Sequence, residues 1–382
     1  MGVKYGLRMF TFALVGLLVP DSAEAIPVFA HRYGLSCQAC HTEVPHLNPA
    51  GTAFLANGYR FPGAATHAVF PVAVRAEFTY ASGGAADPDD IRGPLPKAIV
   101  DEVEFLSGGS VGSRGSYWAE QYLVDGGFPG STRDVWYAQR LTPDGAHLPL
   151  LLRAGQFTLP LPLDPETFRE TTQPYAIWSQ TAGNNPFNFF DTKLGLQASV
   201  GDPARSLSGT FSLLQGHDTQ SGLPADGLDS MLTLRRDLGP VRLGLYRYDG
   251  ERNVAGFGFN DTQFFSGIPD RFWRDGYSAG WSSNRTEVDA VYQIGHDSAA
   301  DVYGDSLIAS GGFLQVRQSI GDRAFGIARW DATQGGAFAR SLTAGLGTRF
   351  SRNTRFTLFD TAERDYLGRP LNVISSSFLV AY

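Results

Sequence analysis

The chain is poor in sulfur: its 382 residues hold two cysteines and three methionines. No further thiol exists to complete a four-cysteine metal site, and none competes with Cys37 and Cys40. Charge is sparse as well, at 18% of residues with a net −7 at pH 7. A moderately acidic chain is not built to hold nucleic acid by charge and suits cations or basic partners better. Long apolar runs are missing. Met9–Val19 is too short to span a bilayer, so no transmembrane helix is expected. No repeat of fixed period appears, which counts against a solenoid. There is no nucleophile–base constellation and no phosphate-cradling loop. The carboxylates Asp87, Asp89 and Asp90, or Asp270 and Asp275, read as ordinary loop acidity rather than as a cation site.

The chain starts with a basic segment carrying Lys4 and Arg8, then the short apolar run, then Ala23-Glu24-Ala25. That order is a secretory signal peptide over 1–25. Next comes Cys37-Gln38-Ala39-Cys40-His41, a CxxCH run and the attachment signature of c-type haem. Thiols three positions apart lie about one helical turn apart and can add to the two vinyl groups of one porphyrin. His41 then presents its imidazole to the iron. A CxxC pair alone also fits a redox dithiol, a structural disulfide or half of a zinc site. The adjacent histidine and the export signal favour one covalent haem c, with Cys37 and Cys40 as thioether attachments and His41 as axial ligand.

Residues 26–66 read as a small helical haem module. Ser36 is placed to cap the CxxCH turn. Asn48-Pro49 is a cap and first-turn pair, and Gly58 can close that helix in a left-handed conformation. Phe54, Leu55 and Tyr59 are available to cover an apolar haem face. So small a module has little core of its own. The porphyrin must supply it, or the module must lean on something larger. The sixth iron ligand is open among His31, His46, His67 and Met231. His46 hangs on a five-residue tether that spans at most about 17 Å, with Pro45 restricting the path. His67 has more reach. Met231 shares strand parity with Thr233 and Arg235. A vacant or water-bound site would favour small-molecule chemistry. His147, His217 and His296 fall in or near expected loops and read as solvated.

From residue 67 to 382 the texture is alternating. Val72, Val74, Ala76, Phe78 and Tyr80 interleave with Ala73, Arg75, Glu77 and Thr79; Val288, Ala290, Tyr292 and Ile294 interleave with Glu287, Asp289, Val291 and Gln293. Period-two alternation gives each strand one apolar and one polar face. About sixteen such segments are expected, near 69–80, 98–107, 115–124, 134–141, 149–157, 191–200, 206–215, 227–236, 240–249, 276–283, 286–295, 306–318, 322–331, 340–350, 353–362 and 371–381. Long connections (81–97, 158–190, 250–275) tend to alternate with short ones (201–205, 237–239, 284–285, 319–321, 351–352). That habit belongs to outer-membrane barrels, with long loops outside and tight turns in the periplasm. Its parity puts both barrel ends on the periplasmic side. Glu77, Glu102, Glu104, Glu120, Glu287 and Asp289, with Arg75 among them, would line the lumen, most of them simply solvated. The proline-rich 158–190 can fold inward as a constriction. The expected fold is mainly β: an antiparallel transmembrane β-barrel of about sixteen strands carrying a small N-terminal helical c-type cytochrome module.

Phe29-Ala30-His31-Arg32-Tyr33-Gly34-Leu35-Ser36-Cys37-Gln38-Ala39-Cys40-His41, then Pro45-His46-Leu47-Asn48, Gly51, Phe54 and Gly58-Tyr59, resembles the fused monohaem cytochrome–porins of the bacterial outer membrane, including iron-oxidising cytochromes. The resemblance covers residues 26 to 63 in motif and the remainder in architecture and length. It implies a CxxCH domain ahead of a porin barrel. The fusion itself suggests a conduit in which the haem passes single electrons between an extracellular donor, Fe(II) or another reductant, and a periplasmic c-type cytochrome. The rival reading is a haem-plugged porin or solute channel in which the module is structural or gating. An enzyme acting at an open haem site, such as an Fe(II) oxidase, is the third.

Overall fold

The computed structural model describes residues 28–43, 46–61, 72–83, 97–143, 146–168, 170–179, 181–202, 207–216, 227–257, 264–301, 303–335, 338–351, 353–365 and 370–381. The expected signal peptide at 1–25, together with His67, His217 and Tyr382, lies outside them. Sixteen long antiparallel strands close into one barrel. They are β1 (Val72–Gly83), β2 (Lys97–Val111), β3 (Gly115–Asp125), β4 (Thr132–Arg140), β5 (Leu150–Thr158), β6 (Thr192–Val200), β7 (Ser208–Gln215) and β8 (Leu228–Leu238). The ring continues with β9 (Val241–Phe257), β10 (Phe264–Ser282), β11 (Thr286–Asp297), β12 (Leu307–Ile320), β13 (Ala324–Gln334), β14 (Phe338–Arg349), β15 (Thr354–Asp365) and β16 (Pro370–Ala381). Closure pairs β16 with β1 in register Phe378↔Phe78. A two-residue strand, Phe128–Pro129, decorates the β3–β4 hairpin.

Every expected strand segment is a strand. One connection is not what alternation implied: 250–275 is mostly ladder, because β9 and β10 stay paired out to Phe257↔Phe264. Glu251 and Arg271 face each other there and form an ion pair at 3.0 Å. Gly250, Glu251, Arg252 and Asn253 interrupt the apolar alternation there, so periodicity does not announce the ladder.

The two faces separate as the alternation requires. Val72, Phe78, Leu196, Phe211, Leu245, Tyr292, Leu314, Leu342, Leu346 and Ile374 are exposed on the outside, while Ala73, Glu77, Ser212, Asp289, Thr343 and Ser375 are buried within. A closed ladder with an apolar exterior leaves no unpaired sheet edge to meet lipid. No helix is long and apolar enough to cross a membrane among the described residues. The connections after β2, β8, β10, β12 and β14 are two to four residues long. In these turns Gly112, Gly239 and Gly321 take φ of +61°, +61° and +65°, the region that favours glycine. This end, where β1 begins and β16 ends, is the turn rim.

The bore is not empty. The segment between β5 and β6 folds inward and carries two four-residue helices, α3 (Pro165–Phe168) and α4 (Ala176–Ser179). It crosses to the opposite wall: Tyr175 packs on Phe313 of β12 at 4.5 Å between ring centres, and the Ala176 amide donates to Asp331 of β13 at 3.3 Å. Arg329 of β13 donates to Thr171 Oγ1 and to the carbonyls of Gln173 and Pro174. Leu159, Leu161, Leu163, Tyr175, Trp178, Phe187 and Phe189 join Tyr246, Tyr248, Phe272 and Phe313 in one apolar cluster inside the barrel. The inward constriction expected of 158–190 is therefore present. Most lumen carboxylates, read from sequence as solvated, are instead buried and paired, because the bore around them is filled.

A charge on the outside has a cost set by depth. Leu342→Arg, in the middle of β14, is expected to destabilise the folded barrel in lipid vesicles by about 2–4 kcal/mol, against about 0–1 kcal/mol for Leu238→Arg at the turn rim. Urea titration of the vesicle-embedded protein measures both.

Candidate functional site

The N-terminal residues form a compact cap seated in the turn rim. It consists of α1 (Val28–Tyr33), a 3-10 turn at Cys37–Ala39, a two-stranded ribbon pairing His41–Glu43 with His46–Leu47, and α2 (Pro49–Ala56). This is less helical than the sequence suggested. The CxxCH run makes one turn and then straightens, with His41 on the ribbon opposite Leu47. Ser36 stands at the N-cap position of that turn but its side chain makes no capping bond. Asn48 does the work instead. Its Oδ1 accepts from the Gly51 amide at 2.9 Å, and its Nδ2 donates to the carbonyls of Gln38 and Ala39 at 3.0 and 3.3 Å. One side chain thus caps α2 and grips the CxxCH turn. Gly51 lets the two meet: a Cβ there would lie 2.0 Å from the Cys40 carbonyl oxygen. Gly58 adopts φ +67°, closing the helix as expected.

The cap touches opposite walls of the barrel. Arg32 donates to the Ser110 carbonyl at the end of β2, and Arg140 of β4 donates to Asn57. Across the bore, His46 Nε2 lies 2.8 Å from Glu287 of β11, and Arg349 of β14 donates to the Thr42 carbonyl. Phe29 and Arg32 of α1 fit over Gly108 and Gly109, where an added Cβ would come within 2.7 Å of the Phe29 ring and 1.8 Å of the Arg32 guanidinium. The expectation that so small a unit must lean on something larger is met by this seat.

Between the cap and the inward segment lies a cavity of about 390 Å³, a size typical of sites for small molecules and cofactors. Cys37, Cys40 and His41 all line it. Phe29, Phe54, Leu55, Tyr59, Trp118 and Trp136 supply apolar walls, with Arg75, Arg153, Glu104 and Asp134 among the polar ones. Both cysteines are free thiols. Burial pushes the Cys40 thiol up, and Cys37 beside it adds to this. The thiolate that reactive dithiols and metal sites use is therefore disfavoured at Cys40. A flat apolar group anchored by two thioethers and met by His41 fits these walls.

The other sequence candidates fall elsewhere. His46 is buried among carboxylates, with Nδ1 3.7 Å from Glu170 and Nε2 on Glu287, and it does not line the cavity. Glu170 is held by Arg317 through two bonds of 2.9 Å, and Arg242 bridges Glu287 and Asp289. His46 is thus a latch between cap, inward segment and wall. Met231 faces inward as its parity implied, but it sits in the apolar cluster and is not on the cavity wall. His31 lies on α1. His296, expected in a loop, is on β11 and stacks on Trp273 at 6.3 Å. Among the described residues no group of three His, Cys, Asp or Glu is arranged to hold a metal ion.

The barrel has the fold of outer-membrane porins. An anion-selective porin from Comamonas acidovorans superposes with a TM-score of 0.62 at 11% identity, over 82% of this chain and 99% of the porin. The outer membrane channel DcaP of Acinetobacter baumannii gives 0.57 at 10% identity, over 84% and 100%. OmpF of Salmonella typhi, in complex with daunomycin, gives 0.59 at 11% identity, over 82% and 97%. No family profile and no curated protein sequence matches. At such identities the likeness defines a closed porin-type barrel and nothing finer.

The latch is pH-dependent. Burial opposes a charged His46 ring, but the Glu170 charge and the Glu287 bond outweigh it, holding its pKa above the ordinary 6.5. A raised histidine stabilises below its unfolded pKa and loses that contribution as pH rises through the folded value. Docking of the cap is expected to weaken as pH climbs above about 6.5, and His46→Gln should flatten the dependence. Limited proteolysis of the cap against pH reads this out. Asn48→Ala, which removes a helix cap and two further bonds, is expected to cost the cap about 1–2 kcal/mol, read as faster limited proteolysis of the N-terminal residues.

Proposed function

We propose that this chain is a bacterial outer-membrane barrel carrying one covalent haem c, with Cys37 and Cys40 as thioether attachments and His41 as an iron ligand, and that it conducts electrons between an extracellular reductant such as Fe(II) and a periplasmic c-type cytochrome. The observation that carries this reading is the convergence of Cys37, Cys40 and His41 on one apolar-walled cavity inside a bore crossed by both the cap and the inward segment. When bound, a c-type haem supplies a one-electron couple tuned by its ligands, hydrogen bonds and burial. The chain's residues supply the rest. Asn48 and Gly51 hold the attachment turn, and Phe29, Phe54 and Leu55 keep water from the ring. The His46 latch fixes the cap against the wall. In this reading both barrel ends face the periplasm, so the haem stands at the periplasmic mouth. With His46 turned to Glu287, His31 and His67 are the remaining N-terminal histidines that could supply a sixth ligand.

A second reading, a solute channel in which the cap plugs or gates the pore, is favoured by the barrel's likeness to selective porins and channels. Two measurements separate them. With the protein in liposomes enclosing a dye acceptor, external reductant should bleach the dye at a rate that falls at least tenfold in His41→Ala; equal rates would remove the conduit. In planar bilayers the intact protein should pass little current. Large open-channel currents would instead support the pore.

A further inference from the structure

We infer that Arg153 is the anion seat of the CxxCH cavity and that its partner there is a carboxylate of the bound porphyrin; this rests on the haem reading above. Three arginines line the cavity: Arg75, Arg153 and Arg235. Arg75 is paired with Glu102 and Glu104, and Arg235 with Asp237 at 3.0 Å. Among the described residues, Arg153 alone of the three has no carboxylate within ion-pair distance. Its guanidinium lies over the Trp136 ring at 4.3 Å and farther from Phe157 at 5.7 Å, and its Nε is sealed from solvent without a hydrogen-bond partner.

The nearby carboxylates are engaged otherwise. Asp134 accepts from the Thr158 amide at 2.8 Å, Asp164 from Thr167 at 3.0 Å and Glu120 from the Trp118 indole at 3.2 Å. The stack on Trp136 also fixes the guanidinium plane. A charge withdrawn from water without a partner is costly. A planar guanidinium held against a ring presents its remaining donors as a fork matched to a carboxylate. It borders the cavity into which Cys37, Cys40 and His41 also open. A porphyrin anchored by its vinyl edge carries its carboxylates on another edge, so thioethers and guanidinium divide the ring between them. No bond is made or broken at Arg153; it pairs with charge and holds the ring's orientation.

Pairing with a cation stabilises the reduced iron, which carries one charge less. Purified full-length Arg153→Leu, with covalent haem confirmed by its alkaline pyridine spectrum, is expected to show a reduction equilibrium constant lower by about tenfold, 59 mV for one electron. Arg153→Lys should restore most of it. In a haem-free Cys37→Ala/Cys40→Ala background, Arg153→Leu should leave the melting temperature unchanged or raised, because the cation then has nothing to pair with. Arg153→Gln serves as the second neutral variant if the leucine form does not fold. A haem-loaded neutral variant within twofold of wild type overturns the assignment. So does a wild-type potential that moves with added acetate, which would make the seat one for free anions. Wild-type protein without thioether-linked haem would fail the haem reading itself, a different outcome from an unshifted potential.

Discussion

A ring of sixteen strands encloses more space than its own inward side chains can fill. Eight strands suffice for a packed interior, whereas sixteen leave an aqueous bore unless something else occupies it. Here two pieces of the same chain occupy it. The segment between β5 and β6 crosses mid-barrel to β12 and β13, and the N-terminal cap closes the turn rim between β2 and β11. The cavity, the buried ion pairs and the placement of the CxxCH turn all follow from that filling.

Filling changes what the lumen's charges do. In an open pore Glu287, Asp289 and Arg242 would be a solvated wall. Once His46 and Glu170 arrive from two different segments, they become a desolvated network in which each charge needs its neighbour. Removing one member of such a network leaves an uncompensated charge, which costs more than the pair itself contributes. The ionic layer therefore specifies how the pieces seat more than it adds to stability. The apolar layer beside it, built on Tyr175, Trp178, Phe187 and Phe189, supplies the burial.

The small N-terminal unit illustrates the same dependence at lower resolution. Its α1 lies against β2 only because Gly108 and Gly109 carry no side chains. Its CxxCH turn keeps its shape because Asn48 reaches back to Gln38 and Ala39. Neither feature would hold a free-standing forty-residue domain together; both make sense when the barrel is taken as the missing half of its core.

Local pattern was enough for the strands, and it singled out the CxxCH run that the structure places on the cavity wall. Alternation such as Val288-Glu287 against Tyr292-Gln293 needs only the two-residue repeat of an extended chain, and a CxxCH spacing carries its chemistry in five residues. The cap on α2, written Asn48-Pro49, and the left-handed Gly58 are local for the same reason. What sequence alone left undecided was everything set by contacts between distant segments. The β9–β10 ladder beyond Gly250 runs through Glu251, Arg252 and Asn253, where the apolar alternation is interrupted. His46, within tether reach of an iron by chain length, is turned to Glu287 by a wall 241 residues away. Arg153, Trp118 and Trp136 are unremarkable in their strands and become cavity wall only when β3, β4 and β5 curve around the cap. Period and spacing are properties of neighbours along the chain, so the sequence determined them; which groups share a desolvated space is a property of the closed ring and its contents, and only the tertiary structure decided it.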